Sequence, residues 1–74
     1  MPSGWIVEVR GRRAGQTLML CQQFAVALED EAAALSAVVP FGKGLFDVRI
    51  TTKSALSENV LKDLMIGPGG VRRH

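Results

Sequence analysis

The amino-acid sequence predicts a two-layer α+β sandwich, in which two helices pack on one face of a three-stranded mixed sheet. The predicted order of elements is β-β-α-β-α. Apolar residues recur at every second position in residues 5–10, 24–28 and 45–52, which is typical of strands with one buried face. Apolar residues recur at helical spacing in residues 31–39 and 57–66. Because all three strands have an apolar face, we expect both helices to cover that common face.

Length and composition predict one small domain. The chain has 74 residues, and folding at this size buries only about 60% of the surface that the unfolded chain exposes. We assign residues 1–66 to a single α+β domain and residues 67–74, GPGGVRRH, to a flexible basic tail. The hydrophobic fraction of 47% is high for so short a chain, and it favours a compact fold or an apolar surface shared with a second copy. We therefore expect a homodimer.

The first strand has the clearest pattern in the sequence. Trp5, Val7 and Val9 alternate with other residues, which gives one apolar face and one mixed face. The segment 11–15, GRRAG, contains two glycines that can adopt positive φ and two arginines that prefer solvent, so a turn follows. Residues 17–21 are mostly apolar without alternation, a pattern compatible with a bulged strand or with an apolar loop.

Residues 22–39 are interpreted as a strand, a cap and a helix. In residues 24–28 large apolar side chains alternate with alanine, which indicates a strand. The acidic residues 29–31 provide a capping residue and negative charge, both of which favour the first turn of a helix. Apolar residues at helical spacing follow until Pro40 stops the pattern.

An alternative interpretation joins residues 16–39 in one long helix, because this span lacks both Gly and Pro. The order of elements would then be β-α-β-α. Such a helix would be apolar on nearly every side, and only a helix at the centre of a protein tolerates this. Since a chain this small has little to surround such a helix, we favour the strand followed by the helix.

The last two elements are the third strand and the second helix. The third strand, residues 45–52, follows a linker that begins at Pro40. The second helix, residues 57–66, begins at a serine cap and ends before Gly67 and Pro68. If the third strand runs parallel to the second through a right-handed crossover, it lies beside the first strand, which is then central.

Few residues of this chain are of the types that usually perform catalysis or bind metal. It has one cysteine, Cys21, and one histidine, His74. A single cysteine excludes an internal disulfide framework and a zinc site with several cysteines. The acidic residues 29–31 fit a helix start better than an acid and base pair, and the glycine-rich segments 42–44 and 67–70 lack the spacing of a P-loop. We therefore predict a protein that is not an enzyme and binds no cofactor or metal.

Targeting signals are not evident in the sequence. No apolar segment reaches the roughly 20 residues of a membrane span without charged residues interrupting it. The first residues, MPSGWIVEV, have no basic lead before a long apolar run, so we predict no secretory leader. Together with the single cysteine, these features predict a cytoplasmic protein in a reducing compartment.

The sheet face that the helices leave open is the first candidate for an interaction surface. The residues predicted to contact a partner there are Arg10, Ala25, Ala27 and Arg49. The alanines leave room for a sheet or a helix to approach, and an edge strand can pair with another chain. We expect the partner to be a second copy or another protein. A solvated face with cross-strand ion pairs is the simpler interpretation of the same pattern.

Clustered arginines support a second hypothesis, which is weak and largely non-specific binding of nucleic acid. Beside Arg10, the first turn contains Arg12 and Arg13, and the predicted tail contains Arg72 and Arg73. A guanidinium group can donate two parallel hydrogen bonds to a phosphate. The sequence has no helix-turn-helix pattern, and its aromatic residues are predicted on the core side, where they cannot stack on bases. Association with protein is therefore the favoured function.

Overall fold

A computed structural model describes residues 2–74 as one four-stranded antiparallel sheet with two α-helices. The strands are β1 (Gly4–Arg12), β2 (Leu20–Val26), β3 (Phe46–Leu56) and β4 (Val71–Arg73). The helices are α1 (Glu31–Val38) and α2 (Glu58–Asp63), and a 3₁₀ turn at Val39–Gly42 follows α1 directly. The strands lie in the order β3-β1-β2-β4.

The central strand β1 pairs antiparallel with β2 on one side and with β3 on the other. Trp5 lies opposite Val26 on β2, and Gly11 lies opposite Leu20, so these two strands form a regular hairpin. The first strand is thus central, with the second and third strands on either side of it. Its pairing with β3 is interrupted twice, once between Ile6 and Val7 and once between Arg10 and Arg12.

Three features of the predicted sheet are wrong. The sheet has four strands rather than three, and every neighbouring pair is antiparallel, so it is not mixed. Residues 71–73, which lie in the predicted flexible tail, form β4 beside β2. The long helix over residues 16–39 does not form either, because residues 20–26 are the strand β2. The physical reason is that a strand at this position buries its apolar side chains in a core on each face of the sheet, whereas a helix that is apolar on all sides would leave some of them exposed.

The helices cover opposite faces of the sheet, whereas the sequence predicts both on one face. The first face contains Val7, Val9, Phe24 and Val26, and it packs against Ala34 and Val38 of α1. The second face contains Ile6 and Ala25, which pack with Ala27 and Leu56 against Leu61 of α2. Since successive residues of a strand point to opposite sides, the alternation of Ile6 with Val7 separates the two cores. The fold is therefore three layers, helix on sheet on helix.

The helix boundaries follow from their caps. The helix α1 begins after Asp30, whose carbonyl accepts a hydrogen bond from the Ala34 amide at 2.9 Å. The helix α2 begins after Ser57, whose hydroxyl accepts a hydrogen bond from the Val60 amide at 3.3 Å. It ends earlier than predicted because Met65 adopts a left-handed φ of 59°. None of the helices in residues 2–74 has the length and apolar character that crossing a membrane requires.

Candidate interaction surface

The outer edge of β3 is the longest unpaired strand edge in residues 2–74. Its only neighbour in the sheet is β1, and it runs for 11 residues, compared with three for β4 at the opposite edge. Most of its side chains are exposed, and only Leu56 at its end is buried. Such an edge presents a row of backbone amides and carbonyls that another strand can pair with.

Exposed apolar side chains surround this edge. Phe46 is 52% exposed and Val48 is 38% exposed on β3 itself, and Val39 in the neighbouring 3₁₀ turn is 57% exposed. Between the turn and the strand lies a hollow of about 510 Å³. Its lining is formed by Val39, Pro40, Gly42, Lys43, Gly44, Leu45, Val48 and Ile50. A contiguous apolar area of this kind is typical of a surface that contacts another protein.

Two irregularities limit the regular part of β3. Ile6 lies opposite Ser54 and Val7 opposite Thr52, so Lys53 is an extra residue without a partner on β1. Towards the other end, Asp47 has a positive φ of 52°, a conformation that aspartate tolerates better than most residues. The regular segment of β3 therefore extends only from residue 49 to residue 52, because the register shifts again between Arg49 and Phe46.

The predicted open face is covered at one end and exposed at the other. Ala25 is 1% exposed and Ala27 is 8% exposed, because both lie in the core beneath α2. Arg10 and Arg49 are exposed and lie opposite each other on β1 and β3. The structure thus separates the four predicted residues into two buried alanines and two exposed arginines.

The small residues of the second face, which the sequence predicts to admit a partner, lie against α2 in the structure. The alanines leave space for a close neighbour, and that neighbour is α2 of the same chain rather than a partner. Gly4 completes this contact, because a Cβ atom there would lie 3.1 Å from a methyl carbon of Leu61. The edge of β3 was missed as a specific site, although its exposed apolar residues alternate visibly in the sequence.

The exposed part of the second face holds a polar cluster around Glu8. This carboxylate is only 6% exposed, and its oxygens lie 3.7 Å from Arg10 Nε and 3.7 Å from Lys53 Nζ. A hydrogen bond from the Cys21 thiol lowers the pKa of Glu8; burial opposes this effect, whereas Lys53, Gln23 and Arg10 add to it. The same hydrogen bond raises the pKa of Cys21, with burial and the charge of Glu8 acting in the same direction.

The chemistry of this cluster is that of a stabilised ion pair. A raised pKa keeps Cys21 in the thiol form, and the thiol is a much weaker nucleophile than the thiolate. Within residues 2–74, no group of three or more His, Cys, Asp or Glu side chains is arranged to hold a metal ion.

The predicted basic residues do not form one cluster. Arg12 donates a hydrogen bond from Nε to Asp47 at 2.6 Å, and Arg72 donates one to the Leu64 carbonyl. Arg73 lies opposite Phe24 on β2, whereas the arginines of the first turn lie beyond Leu20. These two positions on β2 are roughly 13 Å apart along the strand.

Arg13 is the exposed member of the first turn. Together with Lys43 it lines a second hollow, of about 530 Å³, and neither side chain forms an ion pair within residues 2–74. Phe41, which is 48% exposed, lies in the same hollow and stacks on Phe24 with ring centroids 4.5 Å apart. An aromatic side chain and two cations that form no ion pair within residues 2–74 therefore line the same hollow.

Comparisons with protein-family models, with curated proteins and with solved structures find no match to this chain.

Proposed function

We propose that this chain is a small non-enzymatic interaction module that associates with a second copy through the edge of β3. The observation that supports this function best is the length of the exposed edge, 11 residues with apolar side chains beside it. Addition of a strand to such an edge forms backbone hydrogen bonds and buries side chains on both faces. The remaining second face is a weaker candidate, because α2 already covers its alanines.

A substitution at Val48 tests this proposal. Val48→Lys places a charge on the edge and beside the apolar hollow, so we expect the dissociation constant of the dimer to rise by about tenfold or more. Val60→Lys is the matched control, since Val60 is 40% exposed, compared with 38% for Val48, and lies on α2 away from the edge. Sedimentation velocity over a dilution series measures the dimer fraction of each variant.

The possible results distinguish association through β3 from its absence. A dimer that Val48→Lys weakens and Val60→Lys preserves supports association through β3. A wild-type chain that sediments as a monomer at every concentration, or a dimer that both substitutions leave unchanged, contradicts it. Circular dichroism spectra of both variants check that the fold is retained.

Weak binding of single-stranded nucleic acid is a second candidate function. The observation that favours it is the hollow that Phe41, Arg13 and Lys43 line together, since cations near an exposed aromatic ring are the usual platform for single strands. We expect Arg13→Gln to weaken binding of a mixed-sequence oligonucleotide in fluorescence anisotropy and to flatten its salt dependence. Arg12→Gln should have less effect, because Asp47 already pairs with Arg12. Equal effects of both substitutions, or no binding at low salt, would argue against this function.

A further inference from the structure

We infer that two copies pair antiparallel and symmetrically about Ile50, so that Ile50 of one copy lies opposite the partner's Ile50. This inference rests on the proposed association through β3 and adds its register. Two identical edges that meet around a two-fold axis must pair each residue before the centre with the residue equally far beyond it. The register is therefore defined completely by the residue at the centre.

The backbone of β3 leaves two possible centres. Its pairing with β1 is regular only over residues 49–52, because Lys53 is an extra residue on one side and the register shifts at residues 47–48 on the other. A ladder of hydrogen bonds is disrupted at a bulge. Residues directly opposite each other in an antiparallel pair lie on the same face, so a symmetric pair is centred on a residue, and Ile50 and Thr51 are the two interior residues of the regular segment.

The charges of β3 favour Ile50 over Thr51 as the centre. With Ile50 at the centre, Arg49 lies opposite the partner's Thr51, and Asp47 lies opposite the partner's Lys53. A shift of the centre to Arg49 places Arg49 opposite the partner's Arg49. A shift to Thr51 places Arg49 opposite the partner's Lys53 at two symmetric positions. Like charges directly opposite each other destabilise a strand pair, so both shifted registers are disfavoured.

The apolar side chains also fit. Val9 lies opposite Ile50 on the first face, so Ile50 belongs to the same side of the sheet as α1. Pairing about Ile50 brings the two Ile50 side chains into contact beside the hollow that Val39 and Val48 line. The apolar core beneath α1 would then continue from one copy to the other.

Cysteine cross-linking tests the register. In a background of Cys21→Ser, which removes the only native thiol, the three variants are Ile50→Cys, Val48→Cys and Thr52→Cys. Only position 50 faces itself in the inferred register, because position 48 would be roughly 13 Å along the strand from its own copy. We expect Ile50→Cys to form a covalent dimer under mild oxidation at least about tenfold faster than either other variant alone.

A mixture provides the second measurement. Position 48 lies opposite the partner's position 52 in the inferred register, so Val48→Cys and Thr52→Cys should cross-link to each other when mixed. Mass spectrometry of copies with different affinity tags distinguishes this mixed product from two homodimers. The mixture keeps the inference testable even where the substitution at Ile50 weakens the fold.

The outcomes distinguish the register from the association itself. Rapid cross-linking at position 50 and in the mixture supports the inferred register. A dimer in sedimentation that cross-links at position 48 or 52 alone, or at none of the three positions, overturns the register and leaves association in place. A Cys21→Ser chain that remains monomeric at all concentrations overturns both the register and the proposed function.

Discussion

Glu8 is an acidic residue that the sheet holds in its charged form. It lies on the central strand, where side chains of β1, β2 and β3 all reach it: Arg10 from its own strand, Cys21 and Gln23 from β2, and Lys53 from β3. Burial alone would raise the pKa of a carboxylate, but here the hydrogen bonds and cations outweigh burial and the pKa is lowered. Glu8 therefore interacts with side chains of all three strands.

The lowered pKa of Glu8 predicts how stability depends on pH. A carboxylate whose pKa is lower in the folded state stabilises the fold above its unfolded pKa, and this contribution is lost as the pH falls through the folded pKa. The pKa of Glu8 is lowered from about 4.5, so the loss begins near that pH and is complete at more acidic values. We expect Glu8→Gln to be less stable than the wild type at pH 7 and to approach it as the pH falls through the folded pKa of Glu8. Urea denaturation at several pH values measures this difference.

Glu58→Gln is the control for this experiment. Glu58 is an exposed acid that pairs with Lys62 at 3.4 Å across one turn of α2, and such exposed pairs contribute little to stability. Its removal should change stability only slightly at any pH. A stability difference for Glu8→Gln that stays the same from pH 7 down to the most acidic pH at which the wild type still folds would contradict the role assigned to the charge of Glu8.

At the level of elements, α2 determines which part of the second face is buried and which part could contact a partner. It has only six residues, but Leu61 on this helix is 6% exposed and packs against the alanines at the end of β2. The close approach requires small residues beneath it, which Gly4 and the alanines provide. The end of this face that contains the alanines is therefore an internal packing surface, whereas the end that contains Arg10 and Arg49 is exposed.

The packing beneath α2 changes what a charge at Ala25 should do. From the sequence alone, a charge at this position is predicted to weaken association and to leave the fold intact. With Ala25 1% exposed, we expect Ala25→Asp to destabilise the fold by about 3–5 kcal/mol, because an unpaired charge would be buried. Thermal unfolding followed by circular dichroism measures this loss.

Ala32→Asp is the matched control for Ala25→Asp. Ala32 is exposed in the first turn of α1, where a negative charge is favourable. We expect this variant to be as stable as the wild type. If Ala25→Asp also folds with unchanged stability, the assignment of α2 to the second face is contradicted.

For the whole molecule, the sequence predicts local elements better than their arrangement. The strands around Val7, Phe24 and Val48 form where alternation predicts them, and α1 begins where the acidic residues indicate. Alternation was interpreted as one apolar face per strand, although Ile6 and Ala25 make the other face of the hairpin apolar as well. Two apolar faces indicate a layer on each side of the sheet, and this second signal predicts the position of α2.

The fourth strand could not be predicted in the same way. Residues 71–73, VRR, are too few to show a period, and they follow a glycine-rich segment that resembles a mobile tail. Their position depends on backbone pairing with β2 and on the Ala27 amide, which donates to the Gly70 carbonyl at 2.9 Å. Such contacts join residues that are distant in sequence. The candidate surface on β3 depends on the same topology, because a strand becomes an edge only when the order of the sheet is known.

The short strand β4 also has a consequence for the size of any assembly. A sheet with two long free edges can add copies on both sides and grow into a fibre, whereas a very short edge strand offers few backbone groups for addition. Residues 71–73 occupy the side of β2 away from β1, and the His74 amide extends the pairing by donating to the Gln23 carbonyl at 2.8 Å. We therefore expect β4 to limit addition of copies on this side. Without it, the edge of β2 would become a second long site of addition, and a closed pair would turn into an open-ended aggregate.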